Sequence, residues 1–462
     1  MESILNAIYA VSGWLWGPPL IILLSFGGIF LTIRLGFFQF RYVGYILKST
    51  FGSIGKKSEG EGTVTPFQSL TSALACTVGA GNIVGVPAAI MFGGPGAVFW
   101  MWVIALLGMA SKFTESALAV HYRETNEEGE YVGGPMYYMT KGLNMKWLGV
   151  WFSIALMLEV IPSVMIQGNA VAESAKVSFG LPPWVTGLIV MIIVALVIIG
   201  GIKRIGKFAE KVVPVMAVLY VGGALLILIL SISQLPSVLS LIFKYAFTPA
   251  APIGGFGGAA IATVVRWGFA RGVYSNEAGV GTAPIAHAAA TTDHPVRQGI
   301  WAMVGILIDT IIVCTATAYV VLASGVWTDK GAAENASGLS AAGFEEFLGP
   351  AGGMIVTISL IFFVISTIIV LSWYGEKQAE FLFGLKGAKV MKYIYVIAVF
   401  FGAVGAIKAI WGLVDITLAL AVIPNMIAIL LLSGKVKQLK DEFFNTPGKY
   451  YLKDKEDMKA SQ

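Results

Sequence analysis

Two stretches of this 462-residue chain place glycine beside polar side chains in apolar surroundings. The first reads Thr77-Val78-Gly79-Ala80-Gly81-Asn82. Each glycine weakens a helix by roughly 1 kcal/mol, a cost that makes sense where the backbone is wanted open. An opened helix presents N–H groups at the start of its second half. Those groups and the half-helix dipole favour a carboxylate. Carbonyls ending the first half suit a small cation. Close packing against a neighbouring helix is the other use for such small residues.

The second stretch, TVVRWGFARGVYSNEAGVGTAPIAHAAA, covers residues 263–290. It is too polar to face lipid. Arg266, Arg271, Asn276 and Glu277 fall inside it, and charges at membrane depth face a cavity or one another. Gly272 supplies a break and Ser275 a hydroxyl. Arg271 either pairs with Glu277 or gates access; a buried charge network that never meets solute is the alternative. Phe269 either closes one side of a pocket or simply packs. Ser366 and Thr367 are adjacent hydroxyls in the apolar run IFFVISTIIVLSW. Hydroxyl and carbonyl oxygens are hard ligands suited to Na⁺, although such hydroxyls also bond back to their own helix. Gln167 and Asn169 either bind a polar solute or bridge helices. Lys112 and Glu115, three residues apart, can meet on one helix face as a cytoplasmic-side pair. Glu159, Asp309 and Asp415 are further intramembrane acids, and nothing in the sequence names a partner for Asp309.

These groups must be positioned by membrane helices. Hydrophobic residues make up 57% of the chain and charged residues 12%, against roughly 25% charge in a soluble domain. Mean hydropathy is +0.80. An ordinary soluble protein and a disordered one are both excluded. A bilayer core of about 30 Å needs about 20 apolar residues as helix. Eleven stretches qualify: 14–35, 66–92, 95–121, 147–179, 183–201, 209–233, 255–290, 296–323, 350–374, 391–411 and 414–433. They are continuously apolar, without the alternation of a barrel.

The net charge is +5, from 31 basic and 26 acidic residues. The basic residues concentrate in alternate loops, at 34–65, 123–146, 203–211, Arg297, 377–389 and the tail after 434. The opposite loops hold only Lys244, Lys330 and Lys408. The positive-inside rule puts the N-terminus outside and the C-terminus in the cytoplasm, so nucleic acid is not the expected partner. The tail reads as solvated, and the loop 324–349 as a partly helical outer cap. The start of the chain lacks the basic region of a cleaved signal peptide.

The second and seventh spans are both interrupted by glycine and lie five spans apart. Five is odd, so the two halves have opposite topology, the mark of a transporter built on an inverted repeat. Cys76 and Cys314 form no disulfide framework, and His121, His287 and His294 are too scattered for a metal cluster. No Walker loop, HExxH, GxSxG or dinucleotide fingerprint stands in a credible context. The expectation is therefore a non-enzyme driven by an ion gradient, without a cofactor or an obligatory protein partner. A gradient-independent facilitator or channel is the rival.

The runs GGPGAVFWMWVIALLGMASKF at 93–113, YVGGPMYYM at 131–139 and GFARGVYSNEAGVGTAPIAHAAA at 268–290 closely resemble signatures of the alanine or glycine:cation symporter family. The resemblance implies Na⁺-coupled, in some members H⁺-coupled, uptake of alanine and glycine, with L-alanine and also D-alanine as candidate substrates, across the plasma membrane. It implies an all-α polytopic protein with the LeuT fold: one extra helix and a cytoplasmic loop in 1–65, five-helix repeats in 66–233 and 255–433, two unwound helices, and a tail at 434–462. The first broken span is similar to LeuT-type transporters through its VGxGN pattern. Carried over, Thr77, Gly79, Ala80 and Gly81 would hold substrate, with Gln167, Phe269, Gly272, Ser275 and Asn276 completing the pocket. Val78 with Ser366 and Thr367 would hold Na⁺, and Thr77 with Asn82 a second Na⁺. Gly85 stands where those transporters carry an outer-gate arginine, so Arg271, Glu277 and Asp415 are the candidate gate.

Overall fold

The structure is a computed structural model, described here for residues 2–249, 259–329, 331–333, 336–405 and 410–460. Lys330, Lys408 and the portions 255–258 and 406–409 of two expected spans lie outside the described residues. The fold is almost wholly helical. Among the described residues the sheet is a single two-stranded ribbon, Glu124–Thr125 paired with Tyr131–Val132.

Among the described residues, seven helices are long and apolar enough to cross a membrane, and a bent pair makes an eighth. The bent pair is the first expected break: Pro66–Thr77 and Gly81–Gly93 meet at 47°. Its start is fixed by a capping box, in which the Thr65 side chain accepts from Gln68 N–H and the Gln68 side chain accepts from Thr65 N–H. The expected spans 350–374 and 391–411 run on as Pro350–Val404, with a kink at Gly384, whose φ of +71° suits glycine. The helix Pro183–Ile198 is apolar but only 16 residues long. The 55-residue element packs along Lys146–Phe179. Exposed apolar residues such as Val218, Ile229 and Leu196 mark surfaces that water would not tolerate in such number.

Three connecting segments differ from expectation. Leu235–Phe247 is a helix where a loop was expected, because Val238, Ile242 and Ala246 recur every four residues and bury one face. The cap 324–349 does contain a helix, Leu339–Leu348, and Ser340 Oγ donates to Ile83 O at 2.5 Å. That bond satisfies a carbonyl in the π-turn Gly81–Gly85 of the first broken span. The tail is docked rather than simply solvated. Val436, Leu439, Phe443 and Phe444 are buried, and Asp454 binds Arg297 at 2.6 and 3.2 Å. Tyr45 donates to the same carboxylate at 2.6 Å. The sequence reading weighed the tail's charge and missed its four aromatic and aliphatic anchors.

Candidate functional site

The first break opens as its glycines suggest. The helix ends at Thr77; Val78 is extended (φ −76°, ψ 102°), and a π-turn starts at Gly81. Asn82 folds back so that its Oδ1 accepts from Gly79 N–H at 2.8 Å. The second break lies beyond Gly272. The helix Ile261–Asn276 continues through Gly272, and the chain turns at Glu277, which takes a left-handed conformation (φ 53°). Gly272 serves packing instead: a Cβ there would lie 2.5 Å from Ile104 Cγ2 and 3.3 Å from Met101 Cα. With Gly268 it forms the small-xxx-small face that seats this helix on Ala97–His121. A short helix, Ala283–Ala288, follows the break.

Lys112 is buried, and its Nζ donates to the carbonyls of Asn276 and Glu277 at 2.9 and 3.2 Å. It thus caps the C-terminus of the second broken helix, where orphan carbonyls and the dipole favour a cation. Glu115 turns elsewhere and accepts from Asn425 Nδ2 at 2.6 Å. The expected Lys112–Glu115 pair is therefore not formed.

The two breaks are tied together by Asn82. Its Nδ2 lies 3.0 Å from Ser275 Oγ and 2.8 Å from Asp309 Oδ1. Ser275 Oγ and Thr310 Oγ1 donate to Asp309 Oδ2 at 2.7 and 2.8 Å. Asp309 thus has the partners that the sequence left unnamed, drawn from both broken spans and its own π-helical turn Leu307–Cys314.

Beside this network lies a cavity of about 50 Å³. Thr77, Gly79, Ala80, Gly81 and Gln167 line it, as expected. Phe269, Gly272, Ser275 and Asn276 do not. Phe269 turns toward Trp100, with ring centroids 5.7 Å apart, and borders a separate apolar gap with Leu20 and Leu24. Ser275 and Asn276 point into the buried network instead, Asn276 Nδ2 reaching Thr310 Oγ1 at 3.2 Å. One residue of helix turns a side chain by about 100°, so Val273 and Tyr274 reach the cavity where Ser275 does not.

Thr367 lines the cavity as well. Its Oγ1 lies 3.0 Å from Ala75 O and 3.4 Å from Cys76 O, and Ser366 Oγ lies 3.3 Å from Ala75 O. Both hydroxyls can donate to Phe363 O, at 2.9 and 2.8 Å, which leaves lone pairs for a cation. The carbonyls in reach are those of Ala75 and Cys76 rather than Val78. Asn82 is fully committed to the network just described, and Thr77 Oγ1 bonds back to Ala73 O at 3.3 Å, so the two are not presented together.

The expected gate is not assembled as ion pairs. Arg271 stacks on Trp267 and Tyr274, 5.0 and 5.6 Å from the ring centroids. Asp415 accepts from Ser12 Oγ at 2.7 Å, and Trp16 Nε1 donates to the Asp415 carbonyl at 2.9 Å. Glu277 accepts from Thr282 Oγ1 at 2.5 Å, with Cys76 Sγ at 3.6 Å.

Sequence reasoning gave no pocket role to Glu159, Ser163, Tyr274, Thr282, Cys76, Leu371 and Trp16. One signal was available. Glu159, Ser163 and Gln167 recur every four residues and form a polar stripe on an otherwise apolar helix. Asn169 lies off that stripe and bridges helices, its Nδ2 reaching Gly402 O at 3.4 Å.

Residues 1–457 match the sodium:alanine symporter family. The chain belongs to that family. It is 44% identical over 437 residues to the sodium/alanine symporter AgcS of Methanococcus maripaludis, covering 93% of this chain and 95% of that one. It is 61% identical over 454 residues to the transporter YflA of Bacillus subtilis, covering 98% and 96% of the two chains. The crystal structure of MhsT in complex with L-phenylalanine superposes with a TM-score of 0.60 at 15% identity, covering 84% of this chain and 94% of MhsT. At that identity the likeness concerns the fold, which is that of a LeuT-type transporter. The protein is thus a multi-pass membrane transporter of amino-acid transporter lineage and not an enzyme.

Proposed function

We propose that this chain is a secondary symporter that couples Na⁺ to the uptake of alanine and glycine by alternating access. The observation that carries the reading is the meeting of two helix breaks at one small cavity, beside the oxygen cluster of Thr367, Ser366, Ala75 and Cys76. A cavity of about 50 Å³ suits a solute with a methyl or hydrogen side chain. Membership of the family and the name of AgcS point to the same ion and solute.

In this reading the substrate carboxylate meets the N–H groups of Ala80 and Gly81 at the start of the second half-helix, because Gly79 N–H already serves Asn82. Gln167 offers its amide, and Na⁺ bridges the Ser366 and Thr367 hydroxyls to the Ala75 and Cys76 carbonyls. Eleven spans, an inverted repeat in the last ten, an outer N-terminus and a cytoplasmic C-terminus in the plasma membrane complete the proposal. The loop lysines and arginines support that orientation.

A second reading has one observation in its favour. Asp309 is buried, joins both breaks through Asn82 and Ser275, and stands where a proton could drive the cycle. The deciding experiment is uptake of labelled alanine into proteoliposomes at constant pH. Accumulation above equilibrium only with an inward Na⁺ gradient is expected. Accumulation with a proton gradient alone would transfer the coupling to Asp309. Equilibration without either gradient would leave a facilitator.

A further inference from the structure

The lining of the cavity contains two carboxylates, Glu159 and Glu277, and no lysine, arginine or histidine. Glu159 is only 4% exposed. One of its oxygens accepts from Ser163 Oγ, and the other, Oε2, is buried without a partner. Gln167 Oε1, two turns along the same helix, is likewise buried without a partner. Glu277 is near enough to Glu159 for their charges to act on each other. Among the described residues, no basic side chain pairs with either carboxylate within 4 Å. Lys112 approaches Glu277 but spends its protons on backbone carbonyls.

Burying one carboxylate is costly, and a second in the same space raises the cost. The fold retains both, and a cationic group entering the cavity would relieve that cost. An ammonium group carries three donors and no acceptor. Glu159, Gln167 and Glu277 all line the cavity, and Glu159 Oε2 and Gln167 Oε1 are acceptors still without a donor. Ala80 and Gly81 border the same space. An α-amino acid carries both complementary charges at once.

We propose that Glu159 and Glu277, with Gln167, form the ammonium-reading end of the solute cavity, so that a solute must carry a protonated amine to be moved. This rests on the reading of the chain as an amino-acid symporter. It adds a selectivity rule: lactate, which matches alanine in shape but replaces the ammonium with a hydroxyl, is rejected. The rejection arises because lactate brings a negative charge to two unrelieved carboxylates.

The test compares the native protein with Glu159→Gln, Glu277→Gln and Glu159→Asp in proteoliposomes. Labelled alanine uptake is competed with unlabelled alanine, lactate or propionate, and the Na⁺ dependence is measured in parallel. Alanine-dependent thermal stabilisation in detergent gives binding without transport. In the native protein, alanine competes and lactate does not. Each Gln variant is expected to raise the half-saturating alanine concentration by about tenfold to a hundredfold, as for loss of a charged hydrogen bond. The same variants narrow the gap between alanine and lactate by about tenfold, while Glu159→Asp retains it. Should one Gln variant fail to fold, the other carries the comparison.

Unchanged alanine affinity and unchanged exclusion of lactate in a folded Gln variant would overturn the proposal. So would a shift confined to Na⁺ half-saturation, which would make the carboxylates ion ligands. Failure of the underlying reading looks different. If the native protein ignores alanine but binds another ammonium solute in a Glu159-dependent way, only the alanine assignment falls. If it binds hydroxy acids and amino acids alike, the ammonium rule falls.

Discussion

The two broken spans both use glycine to interrupt their helices, but they present different groups at the break. The first does so by removing side chains: Gly79, Ala80 and Gly81 expose backbone, and no charge lies between Thr77 and Gly85. The second turns through two glycines in the left-handed region, Gly279 (φ 88°) and Gly281 (φ 92°), and carries a charged side chain beside them. Its turn falls on a glutamate with φ 53°, a conformation that costs a non-glycine residue roughly 1 kcal/mol or more. Lys112 caps the carbonyls left behind. One break therefore presents amide dipoles and the other a carboxylate. In the reading proposed above, these two breaks supply the complementary ends of a site for a zwitterion.

The largest effect is expected where the first break has no side chain. A Cβ on Gly81 would sit 3.4 Å from both Ser275 Cα and Tyr274 Cδ1, so the space is already filled to van der Waals contact. Gly81→Leu should reduce alanine uptake at least a hundredfold at matched protein levels; normal uptake would show that this backbone does not face the solute.

At the second break the prediction concerns stability. Lys112→Met removes the ammonium from Asn276 O and leaves Glu277 O with Val280 N–H alone; it should cost about 1–3 kcal/mol, read as a lower melting temperature in detergent. An unchanged melting temperature would remove the capping role and, with it, half of the comparison.

A smaller effect belongs to the oxygens beside the first break that are proposed to hold Na⁺. Thr367→Val keeps the shape and deletes the hydroxyl. It should raise the half-saturating Na⁺ concentration by about threefold to tenfold, with alanine affinity at saturating Na⁺ little altered. Equal Na⁺ dependence would place the ion elsewhere.

The smallest effect lies beneath the second break. His294 caps the helix Pro295–Ile306, its Nδ1 accepting from Val296 N–H at 3.2 Å. Burial pushes its pKa down to about 4, against about 6.5 in an unfolded chain. As pH falls through that window, the unfolded state takes up a proton that the folded state resists. Stability contributed by the neutral ring is complete above about pH 6.5 and is lost toward pH 4. The melting temperature should fall across this range, and His294→Asn, which keeps a capping oxygen, should flatten that part of the slope.

Much of this site was legible in the sequence. Gly79 and Gly81 announced the first opening because glycine is out of place in a lipid-facing helix. Ser366 and Thr367 announced an oxygen cluster because adjacent hydroxyls are conspicuous in an apolar run. Glu277 stood out as a charge at membrane depth, though as a gate rather than as part of the cavity wall. Phe269, Gly272, Ser275 and Asn276 were assigned to the pocket because they neighbour the break, yet the helix carries them to other faces. Gly272 was read as a break because glycine serves both breaks and close packing, and its sequence context does not separate the two. The tail was misjudged because its lysines outnumber the few buried residues that dock it.

By itself the sequence determined that the chain crosses a membrane, where two helices cannot run straight, and which polar groups lie at membrane depth. Those follow from composition, apolar length and backbone preference, all local properties. Tertiary structure decided which of those groups share a space: that Glu159 and Gln167 face the breaks, that Asn82 locks onto Asp309, and that Lys112 serves Glu277's backbone rather than Glu115. The physical reason is that sequence position sets depth along a helix, whereas rotation about its axis and the choice of neighbour come from packing. A turn of about 100° per residue is enough to send adjacent side chains to a solute cavity or to a buried network.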